Sequence, residues 1–198
     1  MSAEALLSVL VGIGLSAACG FRVFVPLLLM SIASLSGHLA LSPGFEWIGT
    51  YPALLAFTVA TVVEIAGYYI PWVDHLLDLI ASPASVVAGI VVMASSIVGV
   101  SPFLRWSLAI MAGGGIAATF QAITGLARGA STATTGGLAN PLVSTMEAAG
   151  ASVFSVLAIA VPLLCVVVIA VLLVLICWPG RVLLRRIRSK PVEFGRAR

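Results

Sequence analysis

Residues 106–127, WSLAIMAGGGIAATFQAITGLA, carry no charge and have the length of one bilayer crossing, since a membrane helix needs about 20 predominantly apolar residues. The rest of the chain is similar: 61% of its 198 residues are hydrophobic, 9% are charged, and the mean hydropathy is +1.20. A soluble domain typically has about 25% charged residues. The sequence therefore predicts an all-α, polytopic transmembrane helical bundle with about five spans.

The remaining apolar stretches supply the other spans. The first, from Ala5 to about Leu35, is longer than one crossing needs and contains Arg22 and Pro26. Because proline removes a backbone donor and clashes one turn back, we expect a kink or two half-helices there, that is, a broken first helix. The other predicted spans are 52–70, 84–100 and 148–178, the last with a steep tilt or a bend at Pro162.

Two polar intervals separate these spans. Residues 71–83 predict a short amphipathic helix at the membrane interface, too short to cross. Residues 128–147, RGASTATTGGLANPLVSTME, are rich in hydroxyls and glycine. Irregular backbone at membrane depth is tolerated only where protein buries it or water reaches it. Two structures are therefore open for 128–147: an external loop packed over the bundle, or a re-entrant loop whose polar groups line a site.

The basic residues indicate topology rather than nucleic-acid binding. Seven of the ten lie after the last apolar stretch, and such a cluster marks the cytoplasmic side of a membrane. We expect one transmembrane domain, residues 1–180, and a basic cytoplasmic tail, residues 181–198. The expected location is the bacterial cytoplasmic (inner) membrane, in a multi-pass arrangement with the C-terminus in the cytoplasm.

Ionisable residues inside the spans are the candidate functional groups. Arg22 and Glu64 each cost about 2.5–3.5 kcal/mol at a helix centre unless a partner or water compensates. We expect Arg22 to pair with Glu64 or Glu147, and Arg128 to pair with one of the acidic residues. These groups form either an ion-pair network that fixes helix packing or a polar pathway for a solute or ion. The candidate pathway residues are Arg22, Glu64, Arg128, Thr134, Thr135, Asn140 and Glu147.

Asp74 and Asp78 are four residues apart, which places both carboxylates on one face of a helix. Oxygen ligands of this kind bind a divalent cation, and paired carboxylates also relay protons. The alternative is a solvated polar face on an interfacial helix. The pair is therefore a candidate metal site.

Enzyme motifs are missing from the sequence. It contains no GxxxxGK[ST], HExxH or GxSxG pattern, and Cys19, Cys165 and Cys177 lack CxxC spacing and read as small buried hydrophobes. We therefore expect no cofactor and no nucleic-acid partner, and an enzyme is the less favoured class.

Two motifs resemble those of a known family. The first is Glu64-x6-Pro71-x2-Asp74-x3-Asp78 followed by Pro83, and the second, more specific one is the run 128–147. Both are similar to motifs of an uncharacterised bacterial membrane family, the DUF4126 domain of unknown function. The resemblance extends from about Gly12 to the basic tail. It implies a shared fold and no particular activity.

Three functions remain as hypotheses. The first is a small solute or ion transporter, or a channel-like protein, with a polar site inside the bundle. A homo-oligomer is expected in that case, because five helices barely surround a polar path. The second is a structural or accessory membrane subunit whose ion pairs only hold the fold. The third is a lipid-binding or lipid-modifying protein. Membrane lipids are partners in all three.

Overall fold

The computed structural model describes residues 2–188, except for the side chains of residues 71, 72, 75 and 177–188. Helices are the only regular elements in this part of the chain, so the all-α prediction is confirmed. The predicted basic tail, 181–198, lies outside the described residues apart from the helical backbone of 181–188. The helices are α1 (Ala3–Cys19), α2 (Phe24–Leu35), α3 (Tyr51–Gly67), α4 (Pro71–Ser96), α5 (Pro102–Leu108), α6 (Gly115–Thr135), α7 (Asn140–Ala160) and α8 (Pro162–Arg188).

Two short elements complete the description. A 3-10 helix, Glu46–Gly49, precedes α3, and a π-helical segment, Ala109–Gly114, joins α5 to α6 without a break. The residues up to Val166 form one compact unit, which contains the site described below. The rest of α8 belongs to a second unit.

Three helical segments are long and apolar enough to cross a membrane: Leu76–Ser96, Pro102–Thr135 and Asn140–Ala160. Four other apolar helices are shorter: Ala3–Cys19, Phe24–Leu35, Tyr51–Gly67 and Pro162–Ile176. The prediction of about five spans is therefore not confirmed. Several apolar helices of this kind are nevertheless what a membrane protein requires.

The first apolar stretch is broken into α1 and α2, as expected. The break covers residues 20–23, where the N–H groups of Phe21 and Arg22 both bond to the carbonyl of Ala18. Pro26 is the third residue of α2, in the first turn, where the backbone N–H groups have no partner within the helix. The chain therefore breaks just before the proline, and Arg22 lies in the break.

The predicted interfacial helix, 71–83, is wrong as a separate element. Residues 71–96 form one continuous helix, α4, with Pro83 inside it. Proline removes a single backbone hydrogen bond, and a membrane helix tolerates this loss when its neighbours compensate. The polar residues of the first turns do not need the membrane surface, because a buried arginine contacts them, as described below.

Residues 128–147 are also different from both expected structures. Most of the segment is helical: α6 continues to Thr135 and α7 begins at Asn140, so only residues 136–139 form a turn. Gly136 ends α6 in the left-handed conformation, with φ of +64°, which glycine adopts without strain. The segment is the closed end of a helical hairpin, so a loop over its whole length is wrong.

The last apolar stretch is divided as well. α7 ends at Ala160 and α8 begins at Pro162, so a single steeply tilted span is wrong and the expected change of direction at the proline is observed as a helix break. Cys19 and Cys165 are buried free thiols, as predicted, and the side chain of Cys177 lies outside the described residues.

Helix packing places polar contacts at both ends of the compact unit. At one end, the N–H of Ser42 donates to the carbonyl of Ser95, at the C-terminus of α4. The opposite end holds the α1–α2 break, the C-terminus of α3 and the N-terminus of α4. Between the ends, α4 and the π-helical segment approach closely at Gly89 and Gly113, where an added Cβ on Gly113 would lie 2.6 Å from the Gly89 carbonyl oxygen.

Candidate functional site

A group of buried polar side chains lies at the end of the unit that contains the α1–α2 break. We call it the charged cluster. Its members come from five helices or their connections and, apart from the half-exposed Asp78, are largely buried. They are Arg22, Glu64, Tyr68, Asp74, Asp78, Arg128, Asn140, Ser144 and Glu147.

Arg128 is the most highly connected member. Its Nε and Nη2 donate to the two carboxylate oxygens of Glu147, with Nε 2.9 Å from Oε1. Its Nη1 donates to Asp74 Oδ1 at 2.5 Å and lies 3.4 Å from Asp78 Oδ1. Two-point pairing of this kind is the strongest hydrogen-bonding geometry available to arginine. Arg128 therefore joins α4, α6 and α7 through one guanidinium.

Arg22 approaches the same carboxylate from the α1–α2 break. Its Nη2 lies 3.3 Å from Glu147 Oε2 and donates to the Ser144 carbonyl at 3.1 Å and to the Ser144 hydroxyl. Its Nε and Nη1 have no hydrogen-bond partner among the described residues, although the side chain is only 1% exposed. Arg22 is therefore a buried cation with unused donors.

Tyr68 brings the two arginines into contact with one aromatic ring. The Cζ atom of Arg22 lies 3.8 Å from the ring centroid of Tyr68, and that of Arg128 lies 4.0 Å from it. An aromatic ring at this distance attracts a guanidinium electrostatically. Tyr68 thus offsets part of the repulsion between two cations that share Glu147.

Glu64 has a different kind of partner. Its carboxylate oxygens accept hydrogen bonds from the backbone N–H groups of Val23, at 2.8 Å, and Phe24, at 3.1 Å. These groups open α2, and the N-terminus of a helix carries a partial positive charge that favours a carboxylate. Of the two partners expected for Arg22, the structure therefore selects Glu147, and Glu64 caps a helix instead.

Asn140 connects the cluster to a cavity. Its Nδ2 donates to Asp74 Oδ2 at 3.0 Å and to Thr132 Oγ1 at 3.2 Å. A cavity of about 220 Å³ lies under the 136–139 turn, and its lining includes Asp74, Asn140 and Tyr69. Asp74 is therefore both a partner of Arg128 and part of the wall of this cavity.

The structure brings together five of the seven candidate pathway residues: Arg22, Glu64, Arg128, Asn140 and Glu147. Thr134 and Thr135 are not among them. Both are exposed, and their hydroxyls donate to the carbonyls of Ala130 and Ser131, one turn back in α6. This is the usual bond of a threonine inside a helix, and it follows from the helical rather than loop structure of residues 128–135.

Asp74 and Asp78 lie on one face of α4, as their spacing predicts. Both face the Arg128 guanidinium, which contacts one oxygen of each carboxylate. In residues 2–188, as far as their side chains are described, no group of three or more His, Cys, Asp or Glu side chains is arranged to hold a metal ion.

Three contributors were missing from the sequence prediction: Tyr68, Ser144 and Thr132. Helical spacing was the available signal for two of them, because Tyr68 is four residues after Glu64 and Ser144 is three residues before Glu147. Residues at these separations share a helix face. Thr132 had no comparable signal, since its contact with Asn140 depends on the hairpin.

Comparison with protein families gives one match. A family model described as Domain of unknown function (DUF4126) matches residues 9–181, which is most of the chain. No curated protein and no solved structure matches the chain.

Proposed function

This chain belongs to the DUF4126 family, a domain of unknown function, and we propose that it is an integral membrane protein that binds a proton or a small cation at the charged cluster and conducts it across the bilayer. The observation that carries the proposal is the charge balance of the cluster. The cluster contains two guanidinium groups, those of Arg22 and Arg128, and four carboxyl groups, those of Glu64, Asp74, Asp78 and Glu147.

The excess of carboxyl groups favours a cation as the ligand. Buried charge without a counter-charge costs several kcal/mol per ion, and a membrane interior provides little water to offset that cost. Glu64 is offset in part by the N-terminus of α2, and Asp78 by its partial exposure. A proton or a small cation neutralises the remaining negative charge at low cost.

The cavity beside Asp74 supports access to the cluster from one end. It has a volume of about 220 Å³ and a lining that includes hydroxyl, amide and carboxylate groups. It lies at the hairpin turn, about two helical turns beyond Arg128. Asp74 is the acidic residue that a small polar solute or ion in this cavity would meet.

Buried hydroxyl groups support a path beyond the cluster. Thr61 lies one turn before Glu64 on α3, and Ser31 lies about two turns after Phe24 on α2. Both hydroxyls are buried and have no hydrogen-bond partner among the described residues. Unpaired polar groups of this kind are uncommon in protein interiors, and they are candidates for proton-binding positions beyond the cluster.

Proton flux into proteoliposomes tests the proposal. The purified protein is reconstituted with a pH-sensitive dye inside the vesicles, and a potassium gradient with valinomycin sets the membrane potential. We expect faster internal acidification than in protein-free vesicles, and at least a tenfold loss of that rate in Asp74→Asn and Glu64→Gln. Glu46→Gln, which changes an exposed carboxylate outside the cluster, is the matched control. Proton flux equal to that of protein-free vesicles would overturn the proposal for protons, and equal Na⁺ flux in the same comparison would overturn it for a small cation.

A structural role for the cluster is the second candidate, because most of its carboxylates have protein partners. Glu147 and Asp74 bind arginine, and Glu64 binds backbone N–H groups. In that case Arg22→Ala and Glu64→Ala lower the thermal stability while no variant, and no wild-type sample, shows flux. Measuring both properties on the same preparations separates the two functions.

We also propose a multi-pass location in the bacterial cytoplasmic membrane, with the C-terminus in the cytoplasm, as a homo-oligomer. The basic residues of 181–198 support the orientation. Green fluorescent protein fused after Arg198 should fluoresce, and alkaline phosphatase at the same position should be inactive. Native mass spectrometry should give a multiple of the 20.3 kDa chain mass, and a single-chain mass would contradict the oligomer.

A further inference from the structure

A large apolar groove runs between α3 and α4 and reaches the start of α2. Its volume is about 670 Å³, within the range of about 300–1,000 Å³ that ligand pockets have. Among the lining residues whose side chains the structure describes, Glu64 alone has a carboxylate, and Tyr68 carries the other polar side chain. The groove is thus an apolar cavity with a single acidic group in its wall.

The groove is open to the outer surface of the helical unit, beside exposed apolar side chains. Leu55, Val59 and Val63 on α3 and Ile80 on α4 line it, and each is more than half exposed. Because these exposed side chains are apolar, a membrane rather than water is their expected surroundings. A ligand would therefore reach the groove sideways, from within the bilayer.

A second cavity extends the same apolar surface. It has a volume of about 420 Å³, shares Val23, Ile80 and Ala84 with the groove, and continues along α4 to Val91. The two cavities together offer room for a bulky or elongated apolar body. Among the described lining residues, a carboxylate is present only in the part beside Glu64.

The ionisable group that the structure describes in the groove wall, Glu64, is acidic. The Glu64 carboxylate meets the N–H groups of Val23 and Phe24 at the groove wall, and the cluster behind it contains more carboxylates than guanidinium groups. This arrangement repels anionic head groups and attracts a cation. The acidic group and the apolar walls together favour a ligand that has a positive charge and an apolar body.

We propose that the groove binds a lipophilic cation, an apolar body with one positive charge, which enters from the bilayer and places its charge beside Glu64. The inference rests on the proposed function, since it names a second cation class for the same negatively charged cluster. The apolar walls hold the body of the ligand, and the carboxylate distinguishes a cation from a neutral or anionic molecule of equal size.

Two probes of matched shape and opposite charge test the inference. Tetraphenylphosphonium and tetraphenylborate have nearly the same size, and differ in the sign of their charge. Binding of each to the full-length protein in nanodiscs is measured by equilibrium dialysis against empty nanodiscs. We expect saturable binding of the phosphonium only. Equal saturable binding of both ions would show that the groove recognises apolar shape alone and would overturn the proposal.

Matched variants test where the probe binds. Ala60→Phe fills the groove, whereas Val62→Phe adds the same group on the exposed side of α3 that does not line it. Glu64→Gln removes the charge inside the groove, and Glu46→Gln removes one outside it. We expect at least a tenfold weaker affinity for tetraphenylphosphonium in Ala60→Phe and Glu64→Gln, and no change in the two controls. Unchanged affinity in Ala60→Phe contradicts the inference even if Glu64→Gln does not fold.

The proton-flux measurement separates failure of this inference from failure of the proposed function. Proton flux without saturable phosphonium binding overturns the groove proposal and leaves the cluster as a proton or small-cation site. Absence of both proton flux and saturable phosphonium binding overturns the groove proposal and the proton-conducting form of the proposed function. Inhibition of proton flux by tetraphenylphosphonium, lost in Ala60→Phe, supports both and links the groove to the cluster.

Discussion

Arg128 Nη1 lies 2.5 Å from Asp74 Oδ1, and this contact joins the first turn of α4 to the last turns of α6. A carboxylate in the first turn of a helix is already favoured by the partial positive charge there. The same guanidinium binds Glu147 on α7. One side chain therefore fixes three helices at the end of the unit where the cavity beside Asp74 lies.

Replacement of Arg128 should destabilise the protein more than any other single change in the cluster. Arg128→Gln leaves Asp74, Asp78 and Glu147 without their main counter-charge. Breaking a buried ion pair from one side costs about 3–5 kcal/mol, so we expect a large decrease in thermal unfolding temperature in detergent. Arg128→Lys should have an unfolding temperature between those of Arg128→Gln and the wild type, because lysine keeps the charge but cannot make the two-point contact.

Arg105→Gln is the control for this variant. Arg105 lies outside the cluster and donates to the Pro43 carbonyl at 3.2 Å. We expect Arg105→Gln to lower the unfolding temperature much less than Arg128→Gln does. If the two glutamine variants are equally stable, the cluster does not hold these helices together.

Glu64 should act on stability through the start of α2. Glu64→Gln keeps an oxygen that accepts from the Val23 or Phe24 N–H, whereas Glu64→Ala removes both acceptors. Loss of a helix cap typically costs about 0.5–2 kcal/mol. In denaturant unfolding in detergent, the wild type should therefore be the most stable protein, Glu64→Gln less stable and Glu64→Ala the least stable. Equal stability of the two variants would contradict the capping role.

The sequence was sufficient to predict the apolar helices and the break near Arg22. It also predicted that five polar residues lie together, because a charged side chain inside a bilayer needs an opposite charge or water beside it. It was insufficient for the partners. Glu64 and Glu147 were equally plausible for Arg22, and the choice depends on where the first turn of α2 falls. The spacing of apolar residues in the sequence does not show at which residue α2 begins.

Residues 128–139 show a second limit of the sequence. Ser, Thr and Gly are typical of loops because their side chains compete with the backbone for hydrogen bonds. In α6 the threonine hydroxyls instead bond to carbonyls one turn back, which leaves the helix intact. Tertiary contact of Arg128 with two other helices then stabilises a helical end that local propensity disfavours.

Close helix packing predicts opposite effects for two glycines. An added Cβ on Gly113 would lie 2.6 Å from both the Gly89 carbonyl oxygen and the Met93 Cβ. Gly113→Ala should therefore separate α4 from the π-helical segment and lower the unfolding temperature. An added Cβ on Gly125, on α6, meets no atom within 4 Å. Since alanine is more favourable than glycine in a helix by up to about 1 kcal/mol, Gly125→Ala should be neutral or stabilising.

The shared carboxylate of Glu147 predicts energetic coupling between Arg22 and Glu147. Removal of Arg22 alone leaves Glu147 paired with Arg128, while removal of Glu147 alone leaves two guanidinium groups near one tyrosine ring without the carboxylate between them. Arg22→Met should partly relieve the second defect. Arg22→Met and Glu147→Gln are therefore combined in a double-mutant cycle. The losses in the free energy of unfolding of the two single variants should add up to about 0.5–3 kcal/mol more than the loss measured for the double variant. In a control cycle of Arg22→Met and Glu46→Gln, the losses in the free energy of unfolding should be additive. Additive losses in both cycles would show that Arg22 and Glu147 do not interact.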